Sequence, residues 1–330
     1  MTITLDALNL RLLGDWQRNF PLVSKPFAEI GATLGCAEAE VVDRLTQLSA
    51  SGAVSRVGAT IRPNTAGAST LAAVAAPDWR VDEVAELIGA EPGVNHSYLR
   101  ENDWNLWFVA TGPDRAHVDA TLNRIEAATG LAVMDLRLVR PYHIDLGFSL
   151  DGTRQGHAAV GAADPAALHP GDRDLLQALT RGLAIQSRPF AVLADEVGRH
   201  ETDVLERIGA LSDAGIVTRI GIILRHRALG WRSNAMVVWQ VPGEDIDRAG
   251  VSLAAAQGVT LCYQRRTDPD RWPYNLYCMI HARSRDEALT TLARAATEAG
   301  IAGLPRRVLF SVRCFKQTGA MVVSEREVAA

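Results

Sequence analysis

The chain repeats itself once, and the distance between matching residues stays constant. Pro189 lies 163 residues after Pro26. The same distance separates Gly35 from Gly198, Leu48 from Leu211, Gly52 from Gly215, Arg56 from Arg219, Gly58 from Gly221 and Arg62 from Arg225. A constant distance maintained through helices and turns is the signature of a duplicated module. The chain therefore has to fold as two copies of one unit.

A second set of shared residues marks the later part of each copy. Gly93 to Thr111 and Gly258 to His281 both contain Gly-Val, then Tyr-x-Arg, then Asn-Leu followed by an aromatic residue. Apolar and aromatic residues on both sides of a polar turn predict two strands of a sheet. The copies differ at individual positions between these shared residues, and that is where chemistry is expected.

The first part of each copy has the pattern of a winged helix-turn-helix domain. In the first copy, leucines at helical spacing begin near Leu5, a second short helix opens at Pro26, and a third runs from Glu38 to Leu48. Val54 to Ile61 then predicts the strands of a small wing hairpin. Three short helices followed by a hairpin are typical of this domain class.

Each wing is followed by the order strand-helix-strand-strand-helix-strand, which is the ferredoxin-like βαββαβ plan. A winged helix joined to such a domain resembles the Lrp/AsnC regulators, which pair their ferredoxin-like domains across a dimer. The predicted fold class is α+β, a tandem duplication of this module that forms a pseudo-dimer within one chain. The predicted domains are a winged helix-turn-helix at 1–66, a ferredoxin-like domain at 67–150, a Gly/Ala-rich linker at 151–171, a second winged helix-turn-helix at 172–230 and a second ferredoxin-like domain at 231–330.

Composition narrows the classes of function. The formal net charge of −4 gives no support for non-specific binding to nucleic acid, which depends on lysine and arginine. No run of 18 apolar residues predicts a membrane span, and the N-terminus lacks a signal-peptide pattern. The four cysteines are scattered, without a CxxC pair that would suggest zinc binding. We expect a cytoplasmic protein with reduced thiols.

The third helix of each winged domain bears on DNA binding. A DNA-binding regulator needs basic side chains there, to reach phosphates and base edges. The first copy has one arginine, Arg44, against Glu38, Glu40 and Asp43, and the second has Arg199 and Arg207 against Glu201, Asp203 and Glu206. We therefore expect no nucleic-acid partner, although compensation of the helix dipole would also favour acidic residues in a first turn.

Three motifs resemble those of the siroheme decarboxylases, which share the Lrp/AsnC architecture. They are Tyr263-x-Arg265-Arg266 with Trp272 to Leu276, Asn95-His96-Ser97-Tyr98-x-Arg100 with Asn105 to Phe108, and Pro141 to Phe148. The resemblance covers nearly the whole chain outside the linker, including the duplicated order.

The resemblance implies a carboxy-lyase that acts on siroheme on the route to haem d1. Two acetate side chains, at C12 and C18, would lose carbon dioxide without redox change, giving 12,18-didecarboxysiroheme. No cofactor is implied, because the iron belongs to the substrate. Such a reaction needs a proton donor and cations that hold the other carboxylates. Two alternatives stay open: a transcription regulator that binds DNA and a small effector, and a haem-binding sensor or carrier without turnover.

His96 and His143 are the predicted catalytic residues, because the family's active site is built around two histidines and these two match its motifs. In the sister copy His96 aligns with Leu261, and His143 aligns with Phe315 if the glycines that follow are matched. One working site and one decayed site are therefore expected. One histidine would donate the proton, and the other would bind a carboxylate or contact the substrate iron axially. The sequence does not decide between these roles.

Arginines, a lysine and aromatic residues complete the predicted site, because guanidinium groups match carboxylates and flat rings can flank a macrocycle. The predicted substrate-binding residues are Tyr98, Arg100, Tyr263, Arg265, Arg266, Trp272, Tyr274, Arg313 and Lys316. His226 and His281 have no counterpart in the first copy and rank lower. Asn105 and Asn275 are expected to fix a strand pair rather than touch a ligand. Whether chains pair further into homo-oligomers is left open.

Overall fold

The computed structural model describes residues 5–144, 150 and 162–324. The described helices are α1 (Ala7–Asp15), α2 (Pro26–Leu34), α3 (Glu38–Ala50), α4 (Val81–Ala90), α5 (Arg115–Thr129), α6 (Asp172–Arg181), α7 (Pro189–Glu196), α8 (Glu201–Asp213), α9 (Ile246–Ala255) and α10 (Arg285–Glu298). The described strands are β1 (Val54–Ile61), β2 (Ala68–Val74), β3 (Val94–Arg100), β4 (Leu106–Gly112), β5 (Val133–Leu136), β6 (Leu138–Ile144), β7 (Val217–Leu224), β8 (Ser233–Trp239), β9 (Val259–Arg265), β10 (Leu276–Ala282) and β11 (Arg306–Gln317).

These elements fall into two compact units, each built from both copies of the repeat. The helical unit comprises residues 5–68, 150, 162–230 and 319–324 of the described chain. The sheet unit comprises residues 69–144 and 231–318. No helix among the described residues is both long enough and apolar enough to cross a bilayer.

The helical unit contains the three predicted helices of each copy. Proline occupies the first turn of α2 and of α7, where its missing N–H costs nothing. Gly35, at a φ of 76°, ends α2 in the left-handed conformation. Phe27 and Phe190, equivalent residues of the two copies, are fully buried in one shared hydrophobic core.

The prediction that each copy forms its own wing hairpin was wrong. Val54–Ile61 forms one strand, β1, which pairs antiparallel with β7 of the other copy rather than with a neighbour in its own. Leu183, which follows α6, donates its N–H to Val57 O at 2.7 Å, and Ile222 donates its N–H to Trp16 O at 2.8 Å. Each strand is therefore completed by backbone from the opposite copy.

The shared glycines of the two wings stand at the centre of this ribbon, where Gly58 and Gly221 face each other. A Cβ atom on Gly58 would lie 2.7 Å from Leu179 O, and one on Gly221 would lie 2.2 Å from Gln17 O. Backbone from a neighbouring segment thus fills the space of a side chain at both positions. This close approach explains why both copies carry glycine there.

The sheet unit contains nine strands in the order β5-β2-β4-β3-β11-β8-β10-β9-β6. Within this order, β5-β2-β4-β3 and β11-β8-β10-β9 are the strand orders of two ferredoxin-like domains, which confirms the predicted βαββαβ plan. Only Arg137 separates the edge strands β5 and β6 in sequence. The chain therefore connects one edge of the sheet directly to the other.

The last strand of each copy crosses into the other copy. The first half of β11 pairs with β8 of its own copy, and its second half pairs with β3 of the first copy. The segment β5–β6 does the same, pairing first with β2 and then with β9 of the second copy. A single strand near 132–139 was predicted there. The motif that follows it instead forms most of β6, and Asp145 to Phe148 lie outside the described residues.

The two faces of the sheet pack against different cores. We call one the inner face, whose cluster includes Trp107 and Tyr263 and draws on both copies. We call the other the helix face. In the second copy its cluster includes Leu253 of α9, Leu292 of α10 and Cys262 of β9. These two clusters show to which side each candidate side chain points.

Candidate functional site

His96, Tyr98 and Arg100 form a row on β3. Residues two apart on a strand share one face. His96 stands opposite Val109, which packs against the inner cluster, so the row lies on the inner face. The ring centroids of His96 and Tyr98 are 6.4 Å apart at an interplanar angle of 23°. The Arg100 guanidinium lies 5.4 Å from the centroid of the Tyr98 ring, within the range of a cation–π contact.

Arg100 is a buried cation, with 6% of its surface exposed. Its Nη1 donates hydrogen bonds to Asn234 Oδ1 at 3.3 Å and to Leu309 O at 3.2 Å. Burial lowers the pKa of Arg100 to about 10, while the nearby Tyr98 and Tyr263 act in the opposite direction. No carboxylate among the described residues is paired with it, so neutral oxygens and aromatic faces solvate this charge.

The sister row repeats part of this arrangement. The Arg265 guanidinium lies 4.6 Å from the centroid of the Tyr263 ring, and its Nη1 donates to Leu136 O at 2.7 Å. The two recurring arginines therefore bond equivalent carbonyls on the strands that cross between the copies. This shared contact accounts for the repetition of the Tyr-x-Arg motif through the fold alone.

His143 lies on the opposite face of the sheet from His96. On β6 it is paired with Cys262, whose thiol contacts Gly250 O of α9 at 3.5 Å, so His143 points to the helix face. Only 5% of its surface is exposed, whereas His96 is half-buried. Four strands stand between β3 and β6 in the sheet order. The structure thus does not bring the two predicted catalytic histidines onto one face.

The predicted alignment of His143 with Phe315 was wrong by one residue. His143 is paired with Cys262, and Lys316 is paired with Ser97, which lies 165 residues before Cys262. Both crossing strands have irregularities at matching places, so the register fixes Lys316 as the counterpart of His143. The sister position therefore holds a cation rather than a ring.

The side chain of Lys316 caps the C-terminal end of α4. Its Nζ donates to Gly89 O at 2.8 Å and to Glu91 O at 3.0 Å. The last carbonyls of a helix have no partner within the helix and carry its partial negative charge, so an ammonium there is favourable. Burial lowers the pKa of Lys316, with Glu91 opposing that shift. These contacts indicate a structural role for this predicted substrate-binding lysine.

The predicted aromatic residues of the second copy belong to the inner core. The Trp272 ring centroid is 5.1 Å from that of Trp107 and 5.0 Å from that of Tyr274. Trp272 also donates its indole N–H to Tyr277 Oη at 2.8 Å. Trp272, Tyr263 and Tyr274 are each less than 10% exposed. Their flat surfaces face one another, and Tyr98, on the row with His96, is the more accessible aromatic residue.

Two predicted arginines lie at the surface. Arg313 pairs with Asp82 of α4, with 2.6 Å between Nη1 and Oδ1. Arg266 follows β9 and is exposed, and no described side chain forms a hydrogen bond or ion pair with its guanidinium. Of the predicted carboxylate-binding cations, Arg266 is therefore the one whose full set of donors can reach a ligand.

Sequence reasoning missed the polar residues that continue the β3 row across the sheet. Asn234 of β8 bonds Arg100, and His281 of β10 lies with its Nε2 atom 2.7 Å from Asn234 Nδ2. Thr260 of β9 follows, with its Oγ1 atom 2.9 Å from His281 Nδ1. A signal for His281 was present, because Thr111 replaces it in the first copy, but the sequence could not show that it joins the same network as Arg100.

Asn105 and Asn275 fix strand ends, as predicted. Asn105 accepts from Ala76 N at 3.0 Å and donates to Ala76 O at 2.8 Å. Asn275 makes the same pair of bonds with Val241, at 2.9 and 2.8 Å. The described residues contain no cluster of three or more His, Cys, Asp or Glu side chains that could bind a metal ion.

Known proteins resemble this chain over its whole length. A family model described as an AsnC-like ligand binding domain matches residues 66–143 and 228–316, and one described as a siroheme decarboxylase NirDL-like HTH domain matches 10–54 and 172–217. The siroheme decarboxylase NirDL subunit of Paracoccus denitrificans is 56% identical over 99% of this chain and 100% of its own length.

Two further relatives illustrate the duplication and the fold. The siroheme decarboxylase NirD subunit of Stutzerimonas stutzeri is 50% identical over 44% of this chain and 96% of its own length, which corresponds to one copy of the repeat. The crystal structure of siroheme decarboxylase NirDL in complex with an iron-uroporphyrin III analogue covers 94% of this chain and 92% of the solved chain, at 25% identity and a TM-score of 0.65. Domain order, duplication and full-length similarity agree, and the chain belongs to the NirDL family of siroheme decarboxylases.

Proposed function

We propose that this chain is a siroheme decarboxylase, a carboxy-lyase that converts siroheme to 12,18-didecarboxysiroheme. The observation that carries the proposal is the 56% identity to the Paracoccus denitrificans protein over essentially the full length of both chains. A solved relative of the same architecture binds an iron-uroporphyrin III analogue, which is a tetrapyrrole with many carboxylates.

The reaction requires one proton for each acetate. The bond between the carboxylate carbon and the CH₂ carbon breaks, carbon dioxide leaves, and the electron pair stays on the carbon attached to the ring system. The macrocycle spreads this charge, and a proton delivered to that carbon completes the methyl group. The protein has to hold the substrate by its other carboxylates and place an acid beside the reacting carbon.

His96 is the donor that we favour. It is half-buried, lies on the row with Tyr98 and Arg100, and is replaced by Leu261 in the sister copy. Imidazole is suited to donate a proton near neutral pH. The exposed guanidinium of Arg266 is our first candidate for a carboxylate contact, because a planar fork matches a carboxylate in bidentate fashion.

His143 keeps its place in the proposal as a second histidine with a separate role. It is buried on the helix face, away from the His96 row, so we do not assign proton donation at that row to it. Its role in substrate binding or axial contact with the substrate iron rests on the family resemblance alone. Its counterpart Lys316 lies at the C-terminal end of α4. The roles of both histidines can be separated by experiment.

The decisive experiment is anaerobic incubation of the purified protein with siroheme, followed by mass spectrometry of the tetrapyrrole. The wild type and the exposed-histidine control His200→Gln are expected to remove two carbon dioxide units. His96→Gln is expected to lower kcat by about 10²-fold, which is typical for loss of a general acid. His143→Gln should act mainly on KM or on the absorption spectrum of bound substrate. Unchanged siroheme with a shifted spectrum would instead identify a binding protein.

A DNA-binding regulator is disfavoured by the ion pairs of the helical unit. Arg44 of α3 pairs with Asp6 at 2.7 Å and with Glu40 at 2.9 Å. Arg207 of α8 pairs with the buried Asp172 at 2.6 Å. The few basic side chains of these helices are therefore already neutralised, and we propose that no nucleic acid is a partner.

A further inference from the structure

A polar network links the two histidines that distinguish the copies on the inner face, His96 and His281. It begins with the stacked rings of His96 and Tyr98 and continues through the cation–π contact to Arg100. Arg100 then bonds Asn234, which in turn bonds His281. We call this chain of contacts the histidine ladder. It crosses from β3 in the first copy to β10 in the second.

The hydrogen bonds of the ladder assign the roles of the His281 nitrogens. Asn234 Oδ1 accepts from Arg100 Nη1 at 3.3 Å and from Ser311 Oγ at 3.2 Å. The atom that Asn234 turns to His281 Nε2 is therefore its amide nitrogen, which can only donate. Nε2 accepts, and the ring proton is on Nδ1, which faces Thr260 Oγ1 at 2.9 Å. Thr260 then donates to Met279 O at 3.1 Å.

This arrangement fixes which way the Asn234 amide points. His281 Nε2 holds the amide NH₂, so the carbonyl oxygen is turned toward Arg100. If the acceptor at position 281 were lost, the amide could rotate and present NH₂ to the guanidinium, and a donor facing a donor cannot form a bond. Arg100 has no described carboxylate partner, so Asn234 Oδ1 and Leu309 O carry its directional bonds.

The equivalent set of contacts around Arg265, which crosses from the second copy into the first, lacks the second half of this ladder. Ser69 occupies the position of Asn234, because β2 and β8 have equal length and matching place in the repeat, and Thr111 occupies the position of His281. Arg265 keeps its bond to Leu136 O. The positions beside Arg265 that correspond to Asn234 and His281 therefore hold Ser69 and Thr111 of the first copy, and Leu261, on the strand of Arg265, replaces the row histidine. The loss of the row histidine and the loss of the Asn–His pair therefore occur together, in the set of contacts around Arg265.

We propose that His281 is a positioning residue for decarboxylation, an inference that rests on the proposed function. Through Asn234 and Arg100, His281 holds Tyr98 and His96 in the orientation that delivers the proton. In this proposal His281 acts without contacting the substrate. Its loss should therefore change how often His96 is correctly placed, with little effect on how tightly siroheme binds.

The test compares variants that carry the first copy's residues at positions 234 and 281 with one variant that preserves the hydrogen-bond acceptor at position 281. His281→Thr and Asn234→Ser introduce residues that the first copy already accommodates at these positions. His281→Gln keeps an oxygen acceptor for the Asn234 amide and is the rescue variant. His200→Gln, at the exposed start of α8, is the matched loss of a histidine elsewhere. Thermal unfolding of each variant shows that it is folded before kinetics are compared.

With siroheme, His281→Thr and Asn234→Ser are expected to lower kcat about tenfold, since small misplacements of reacting groups have effects of this size or larger. KM should stay within about twofold, and His281→Gln should recover most of kcat. An unchanged kcat, or a rise in KM alone, would overturn the positioning role.

A second readout does not depend on turnover. Two-dimensional ¹H–¹⁵N spectra resolve histidine ring nitrogens, and the His96 signals can be assigned by their loss in His96→Gln. They are expected to shift in His281→Thr and Asn234→Ser and to stay in place in His200→Gln. Wild-type protein without decarboxylase activity would refute the proposed function, while unmoved His96 signals would refute the ladder independently.

Discussion

The backbone contact at Gly221 allows a quantitative prediction for Gly221→Ala. The added Cβ would lie 2.2 Å from Gln17 O and 2.4 Å from Gln17 C. The Gln17 peptide must therefore retreat by about 1 Å before the contact becomes ordinary. This clash costs about 2 kcal/mol by analogy with overpacked cores.

The displacement would also weaken two backbone hydrogen bonds on either side. Ile222 donates to Trp16 O at 2.8 Å, and Phe20 donates to Ile220 O at 3.3 Å. At about 1 kcal/mol for each bond, the free energy of unfolding should fall by about 4 kcal/mol in total. For a unit of this size the midpoint of thermal unfolding should drop by about 10 °C.

Urea and thermal unfolding followed by circular dichroism would measure this change. Gly58→Ala is the graded comparison, because its Cβ would approach Leu179 O only to 2.7 Å and should cost less. Gly14→Ala is the control, since no atom lies within 4 Å of that Cβ and alanine favours a helix. Equal unfolding midpoints for Gly221→Ala and the wild type would show that the backbone around Gln17 does not pack against β7.

Three further predictions concern strand ends, acid stability and DNA. Asn275→Ala should lower the free energy of unfolding in urea by about 2 kcal/mol, because it leaves both the N–H and the carbonyl of Val241 without their partner; an unchanged midpoint would refute this. Burial, with a smaller effect of Arg219, lowers the pKa of His226 to about 4. The unfolded imidazole takes up protons near pH 6.5, so stability is complete above that pH and is lost as pH falls toward 4, by about 2 kcal/mol given partial contact with water. His226→Gln should flatten this decline in urea midpoints between pH 7 and 4, and a parallel decline in both proteins would contradict it. In a gel-shift assay at physiological salt the chain should leave genomic fragments unshifted, and a discrete shifted band would restore the regulator hypothesis.

The duplication made the architecture predictable, but strand partners were only partly so. Alternating apolar residues and matched turns identify β9 and β10 as a strand pair within one copy. Nothing in Val54–Ile61 itself shows that its partner is Val217–Leu224 of the other copy, and a local hairpin was therefore the natural expectation. Pairing between distant segments depends on tertiary packing that local propensity does not encode.

The candidate site was predictable in composition and less so in arrangement. His96 was identified from the contrast with Leu261, and the structure keeps it half-buried on the inner face. His143 was matched to Phe315 through glycines, although the first copy has one more residue between strand and glycine. Side chains alternate between faces along a strand, so an error of one residue changes the side of the sheet to which a counterpart is assigned. Only the register identified Lys316.

The contact between Lys316 and the C-terminal end of α4 affects which copies of the module can pair. Lys316 comes from the second copy, but the carbonyls that it closes, those of Gly89 and Glu91, belong to the first. If two first copies paired with each other, His143 would occupy that position, and its shorter side chain has no ammonium to offer two carbonyls. A mixed pair is thus better satisfied than a pair of identical first copies. We therefore expect the crossing strands to favour pairing between unlike modules over pairing between two first copies.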